Sequence, residues 1–142
     1  MKKILKLGIV GGGPGSWIGN IHRIASRIDG KYKICAGTFS RNFNISKSFG
    51  SSLNLNKDRC YSNYKLMANV EAKKKDGIDV VAIMTPPGSH QEIAEYFIKK
   101  NFNLISDKPF ASTYLQAKKL YKAIKKNKKI VYGLTHNYSA YP

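Results

Sequence analysis

The residues best suited to chemistry sit near the start of the chain. Leu7-Gly8-Ile9-Val10 runs directly into Gly11-Gly12-Gly13-Pro14-Gly15-Ser16-Trp17-Ile18-Gly19. Glycines in such a turn let the backbone bend tightly and approach a phosphate with no Cβ in the way. A helix opening at the same point adds unpaired N–H groups and a partial positive charge. The pattern points to a diphosphate cradle and excludes a P-loop, because no Gly-Lys-Ser/Thr follows the glycines. Gly11 and Gly13 fit the first two glycines of G-x-G-x-x-G, while Gly19 arrives two or three residues late for the third. Pro14-Gly15-Ser16 reads as an insertion that lengthens the turn. It leaves the Ser16 hydroxyl either for a phosphate oxygen or for capping the helix.

A second chemical signal lies at the end of the next strand. NAD-preferring sites place an acidic residue there to bond the ribose 2′-hydroxyl. Here the segment is Gly37-Thr38-Phe39-Ser40-Arg41, and no acid occurs between Asp29 and Asp58. Ser40 and Arg41 offer a hydroxyl and a guanidinium to a 2′-phosphate, which tilts the expectation from NAD toward NADP, with dual use open. The plain alternative is that Arg41 merely begins a surface helix.

The elements that must hold these residues alternate between apolar runs and helical patterns. The strand candidates are Leu7 to Val10, Ile34 to Phe39, Ile78 to Met84, Phe102 to Ile105 and Ile130 to Leu134, with a short one near Cys60-Tyr61. Ile78 to Met84 is nearly continuous in apolar residues, as expected of a strand covered on both faces. Apolar stripes mark three helices: Ile18, Ile21, Ala25 and Ile28; Ile93, Ala94, Phe97 and Ile98; and Ala117, Leu120, Tyr121 and Ile124, the last opened by a Thr113-x-x-Gln116 capping box. Each stripe is expected to pack on the sheet. Part of the polar stretch from Asn42 to Lys57 reads as a short helix followed by a surface loop. This alternation predicts an α/β fold, a doubly wound parallel sheet of about six strands with helices on both faces, the Rossmann fold of NAD(P)-binding proteins.

Length and composition agree. A chain of 142 residues holds one domain, read as residues 1–142, and buries roughly two-thirds of its unfolded surface. Cys35 and Cys60 have no Cys or His at zinc-ligand spacing, so neither a metal site nor a disulfide framework is expected, and free thiols fit a cytoplasmic location. The basic opening Met1-Lys2-Lys3 precedes too short an apolar run for a signal peptide, and no stretch approaches a membrane span. The net charge of +17 raises a nucleic-acid partner. Yet Lys73-Lys74-Lys75, Lys99-Lys100 and Lys125-Lys126 each fall near a helix end, where cations complement the dipole, with no interleaved aromatics. The distribution therefore argues for a solvated surface.

Three further segments follow later strands: Thr85-Pro86-Pro87-Gly88-Ser89-His90, Ser106-Asp107-Lys108-Pro109 and Thr135-His136-Asn137-Tyr138. Together with the glycine turn and His22, they resemble the Gfo/Idh/MocA family (glucose–fructose oxidoreductase, inositol dehydrogenase and relatives) over essentially the whole chain. All lie at carboxyl ends of parallel strands, where open α/β sheets bind ligands. By resemblance, Lys108 is the catalytic residue, reaching the nicotinamide ribose and the substrate hydroxyl, and Pro109 fixes its turn, with a cis bond open. Asp107 stands where the family has Glu, keeping the charge and shortening the reach. Thr85, Pro86, Pro87 and His90 border the nicotinamide end, although His90 also fits a plain first-turn helix residue. His136 and Asn137 either face the ligand or simply end their strand. His22 reads as structural and Trp17 as packing.

The resemblance implies hydride transfer between a nicotinamide cofactor and a sugar- or polyol-type hydroxyl. It also implies a second, substrate-binding domain that residues 1–142 do not contain, so the expectation is nucleotide binding with little or no turnover by these residues alone. The competing readings are a non-catalytic nucleotide-binding or partner-docking module and a basic nucleic-acid-associated protein. Homo-oligomerisation stays open.

Overall fold

The computed structural model describes residues 3–140; Met1, Lys2, Tyr141 and Pro142 lie outside the described residues. In chain order the elements are β1 (Leu5–Gly11), α1 (Trp17–Ile28), β2 (Tyr32–Thr38), α2 (Phe43–Ser52), α3 (Tyr64–Glu71), β3 (Val80–Met84), α4 (His90–Ile98), β4 (Asn103–Asp107), α5 (Tyr114–Lys126) and β5 (Tyr132–Thr135). The strands form one parallel sheet in the order β2-β1-β3-β4-β5. This is the expected α/β architecture with five strands instead of about six. Cys60 contributes only an isolated parallel bridge to Gly37. A 3₁₀ turn over Lys57–Arg59 precedes it and the Asn63 cap of α3 follows closely, leaving no room for a ladder.

Side chains alternate between two cores, as the period of a strand requires. Val10, Val81, Ile83 and Leu104 join Met67, Ala68, Ile93, Ala94, Phe97 and Leu120 in one. Leu7, Ile9, Val80, Ala82 and Met84 join Phe39, Leu55 and Cys60 in the other. β3 is buried along its whole length, as its apolar run implied. The α4 stripe is buried throughout. In α5 the expected stripe shifts: Leu120 is buried and Ile124 packs on the core, but Tyr121 is exposed and Ala123 takes the inward place. Thr113 caps α5 by accepting from the Gln116 amide at 3.2 Å, and the Gln116 side chain accepts from Ser112 N–H at 3.1 Å.

The first helix overturns a sequence expectation. Gly19 and Ser26 are its buried residues, while Ile21, Ile24 and Ile28 face outward and Trp17, expected to pack, is 75% exposed. The cause is local: α1 must lay Gly19 on the glycine turn, and that contact fixes its rotation about its own axis. Only Ile18 of the expected stripe packs against the core.

On the opposite side of the sheet a buried carboxylate pins the approach to β3. Glu71 accepts from Arg59 Nε at 3.0 Å and Nη2 at 2.5 Å, from the Tyr61 hydroxyl at 2.6 Å and from Ile78 N–H at 3.1 Å. Four donors compensate the desolvation of the charge. Burial and the Glu71 carboxylate push the Tyr61 phenol well above its ordinary value, so it stays a donor. Removing one partner of such a cluster strands the other. Glu71→Ala is therefore expected to lower the unfolding free energy in urea by about 3 kcal/mol. Ile28→Ser, on the outward stripe, should shift it by no more than about 0.5 kcal/mol. Equal effects of the two substitutions would contradict both placements.

Candidate functional site

The turn after β1 is shaped by backbone that touches backbone. Gly11 and Gly12 hold φ values of +84° and +61°, a region costly for L side chains. A Cβ at Gly12 would lie 3.0 Å from the Gly19 Cα, and one at Gly19 would run into the Gly12 carbonyl. A Cβ at Gly13 would strike the Phe39 carbonyl at the end of β2. Gly19 thus does the work of the late third glycine, and its partner is Gly12, which the fingerprint spacing had passed over. Arg23 Nη1 donates to the Gly12 carbonyl at 2.6 Å, and its guanidinium lies 5.0 Å from the Phe49 ring centroid. The turn is held from below as well.

Ser16 accepts from Gly19 N–H at 3.0 Å and is the N-cap of α1. The Trp17 and Ile18 amides, in the first helical turn, have no intrahelical acceptor. They belong to the positive end of the helix dipole, where an anion is favoured.

From this end a cleft of about 750 Å³ runs along the carboxyl edge of the sheet, between β1 and β3, where the strand order reverses. Strands on either side of such a switch point carry the chain away in opposite directions and leave a crevice. Of the residues singled out in the sequence, Gly11, Ser16, Ser40, Arg41, Thr85, Pro86, Asp107 and Lys108 line it. Gly13 and Gly19 support the turn from behind. A Cβ at Gly15, whose φ is +74°, would meet no other side chain or backbone within 4 Å. Pro14 lines a separate groove against α2. Asn137 is exposed in the 3₁₀ turn after β5. His90 is buried behind the wall, with both ring nitrogens within hydrogen-bond distance of backbone carbonyls.

The cleft also draws in residues that the sequence reading missed, among them Gly12, Asn63, Tyr64 and Glu92. Asn63 caps α3 by accepting from Leu66 N–H at 2.9 Å, and Asn followed by a helical run is a readable cap signal. Nothing local marks Tyr64 and Glu92; only folding brings the Tyr64 hydroxyl to within 2.5 Å of the Glu92 carboxylate. At the far end, Lys108 is exposed and follows Asp107, whose carboxylate accepts from the Thr135 hydroxyl at 2.9 Å. The Lys108-Pro109 bond is cis. His22, expected to be structural, lies 3.9 Å from Asp107, and burial pushes its pKa down against the pull of that carboxylate.

Two expectations follow. The unfolded chain binds a proton on His22 below about pH 6.5, where the folded chain resists it. Stability from this group is complete above that pH and is lost as pH falls below it. The pH dependence of unfolding below about pH 6.5 should flatten in His22→Asn, and an unchanged slope would refute this assignment. For the turn, Gly19→Ala should cost about 2 kcal/mol of stability and reduce dinucleotide affinity, as read by denaturation and calorimetric titration. Gly15→Ala should cost about 1 kcal/mol for its backbone conformation and leave affinity within a few-fold.

Comparison with known proteins places this geometry in context. The oxidoreductase family model Gfo/Idh/MocA, described as an NAD-binding Rossmann fold, matches residues 5–135. The uncharacterized oxidoreductase YfiI of Bacillus subtilis is 36% identical over 140 residues, covering 98% of this chain and 35% of that protein. An oxidoreductase from Sinorhizobium meliloti superposes with a TM-score of 0.92 at 43% identity, over 99% of this chain and 39% of its own. An inositol dehydrogenase homologue from Azotobacter vinelandii, solved with NAD+ and separately with NADH and myo-inositol, superposes with TM-scores of 0.93 and 0.92 at 31% identity, over 98% of this chain and 36% of its own. The chain thus spans little more than a third of the length of each of these relatives.

Proposed function

The chain belongs to the Gfo/Idh/MocA oxidoreductase family, as its NAD-binding Rossmann fold, and on that premise we propose that it is the cofactor half of a dehydrogenase acting on a polyol or sugar hydroxyl. The observation that carries the reading is the single cleft that joins the glycine turn and α1 N-terminus at one end to Lys108 at the other.

The residues present fit a dinucleotide. Gly11 and Gly12, both at positive φ, present the turn to the cleft as backbone without side chains, which is what close approach of a diphosphate requires. The Trp17 and Ile18 amides would bond the diphosphate. Ser40 and Arg41 would hold the adenosine ribose, with Thr85, Pro86 and Asp107 toward the nicotinamide end. A bound nicotinamide supplies the acceptor or donor of a hydride. Lys108 would hydrogen-bond the substrate hydroxyl through Nζ and take part in the proton transfer that accompanies movement of the hydride. The Azotobacter relative solved with NADH and myo-inositol supports a cyclic polyol as the substrate class.

Arg41 is exposed, forms no ion pair among the described residues and lines the cleft. It supports acceptance of NADP alongside NAD, with NADP slightly favoured. Residues 1–142 by themselves bind nucleotide without appreciable turnover, since hydride transfer needs the substrate carbon held in near-attack geometry and Lys108 is the one group here proposed to touch it. No helix among the described residues is long and apolar enough to cross a membrane, and the free thiols Cys35 and Cys60 suit a cytoplasmic setting.

Calorimetric titration with NADH and NADPH tests the reading directly. Both should bind, and Arg41→Ala should weaken NADPH about tenfold while leaving NADH within about twofold. A chain that binds neither nucleotide sinks the proposal, and a clear NADH preference in the unaltered chain sinks its NADP component. The 142-residue chain supplied with myo-inositol and NAD+ should show no turnover at ordinary enzyme rates.

A further inference from the structure

His90 opens α4 and is only 1% exposed. Its Nδ1 lies 2.9 Å from the Pro109 carbonyl oxygen and its Nε2 lies 2.6 Å from the Thr85 carbonyl oxygen. Both ring nitrogens therefore face backbone carbonyl oxygens, and the tautomer sets which of them donates. The two carbonyls belong to different walls of the cleft: Thr85 ends the β3 side, and Pro109 follows Lys108 on the β4 side.

Among the described residues no other side chain bonds both walls. The β3–β4 ladder has its last pair at Ile83 and Ser106, two residues short of Thr85 and of Lys108. Ser89 Oγ bonds the Thr85 hydroxyl and the Pro86 carbonyl, each at 2.8 Å, which secures the first wall to itself. Thr135 Oγ bonds Asp107 and Ser106, which secures the second wall to β5. Beyond the ladder, His90 is the one hydrogen-bonded link between the walls among the described residues.

We propose that His90 is a positioning residue for Lys108: by setting one buried ring against the Thr85 and Pro109 carbonyls at once, it fixes the distance between the walls and the direction from which Lys108 enters the cleft. This rests on the reading of the cleft as a dinucleotide site whose nicotinamide end lies at these walls. The adenosine end is bounded by α1, Ser40 and Arg41, elements His90 does not touch, so its loss should be felt at one end of the ligand only.

The test compares NADH with ADP, which lacks the nicotinamide half, by calorimetric titration of the 142-residue chain. His90→Phe keeps an aromatic ring and removes both ring nitrogens. It should leave ADP affinity within about twofold and reduce the NADH-to-ADP affinity ratio about fivefold or more, the effect of about one lost hydrogen bond. His90→Gln, whose amide can still donate, should restore part of that ratio. Parallel loss of NADH and ADP affinity would reduce His90 to a general fold stabiliser and overturn the proposal, as would an unchanged ratio. Should His90→Phe fail to fold, the ring ¹⁵N spectrum of the unaltered protein decides: a ring N–H protected from solvent exchange supports the clamp, and a freely exchanging, tautomer-averaged ring overturns it. That spectrum is read without nucleotide. An unaltered chain that binds no NADH therefore counts against the dinucleotide reading alone.

Discussion

Between Gly12 and Gly19 two stretches of backbone meet with no side chain between them, and much of the molecule is arranged around that meeting. It brings the start of α1 against the turn after β1, so the unpaired amides of the helix and the glycine backbone face the same space. It also fixes the helix's rotation. Gly19 and Ser26 turn inward, and Ile21, Ile24 and Ile28 are left outward although their spacing would suit a core face. Burying three isoleucines is worth several kcal/mol. Rolling the helix to bury them would set a residue with a Cβ against the Gly12 backbone, a collision that no change of rotamer relieves.

The rest of the scaffold keeps the cleft's edges in place. On the approach to β3, Glu71 gathers Arg59, Tyr61 and the Ile78 amide into a closed polar cluster. The segment between α3 and β3 thereby enters the sheet at a defined point. At the other end of β3 the ladder to β4 stops and the strand ends separate. His90 spans the gap with one ring and two carbonyls, and Thr135 fixes Asp107 from the β5 side. Buried polar groups with every partner supplied are rigid. They stand where the walls of a binding cleft need a constant separation.

Much of this was legible from local pattern. The near-continuous apolar run of β3 and the α4 stripe required only a count and a period. Thr113 and Gln116 announced the start of α5. The glycine turn at the end of the first apolar run announced one end of the cleft, and Lys108 with Asp107 could be placed at a strand's carboxyl end. Less could be read where one residue's role depends on a distant one. Cys60 looked like strand, yet it forms a lone bridge because the 3₁₀ turn and the α3 cap crowd it. Tyr64 and Glu92 are 28 residues apart and meet only across the fold. His90 looked like a ligand neighbour and lies behind the wall, because two carbonyls take both of its nitrogens.

What the order of residues determined alone is whatever follows from nearest neighbours along the chain: strands and helices from hydrophobic period, a tight turn from glycines after a strand, and an α/β class from alternation. What the tertiary structure decided is which faces are covered and which groups meet. Gly12 rather than Gly13 opposes Gly19, α1 turns its isoleucines outward, and His90 reaches two walls at once. The division has a physical origin. Periodicity is a property of local backbone geometry, whereas rotation about a helix axis and the pairing of buried polar groups are settled by steric exclusion and hydrogen-bond satisfaction between segments far apart in sequence.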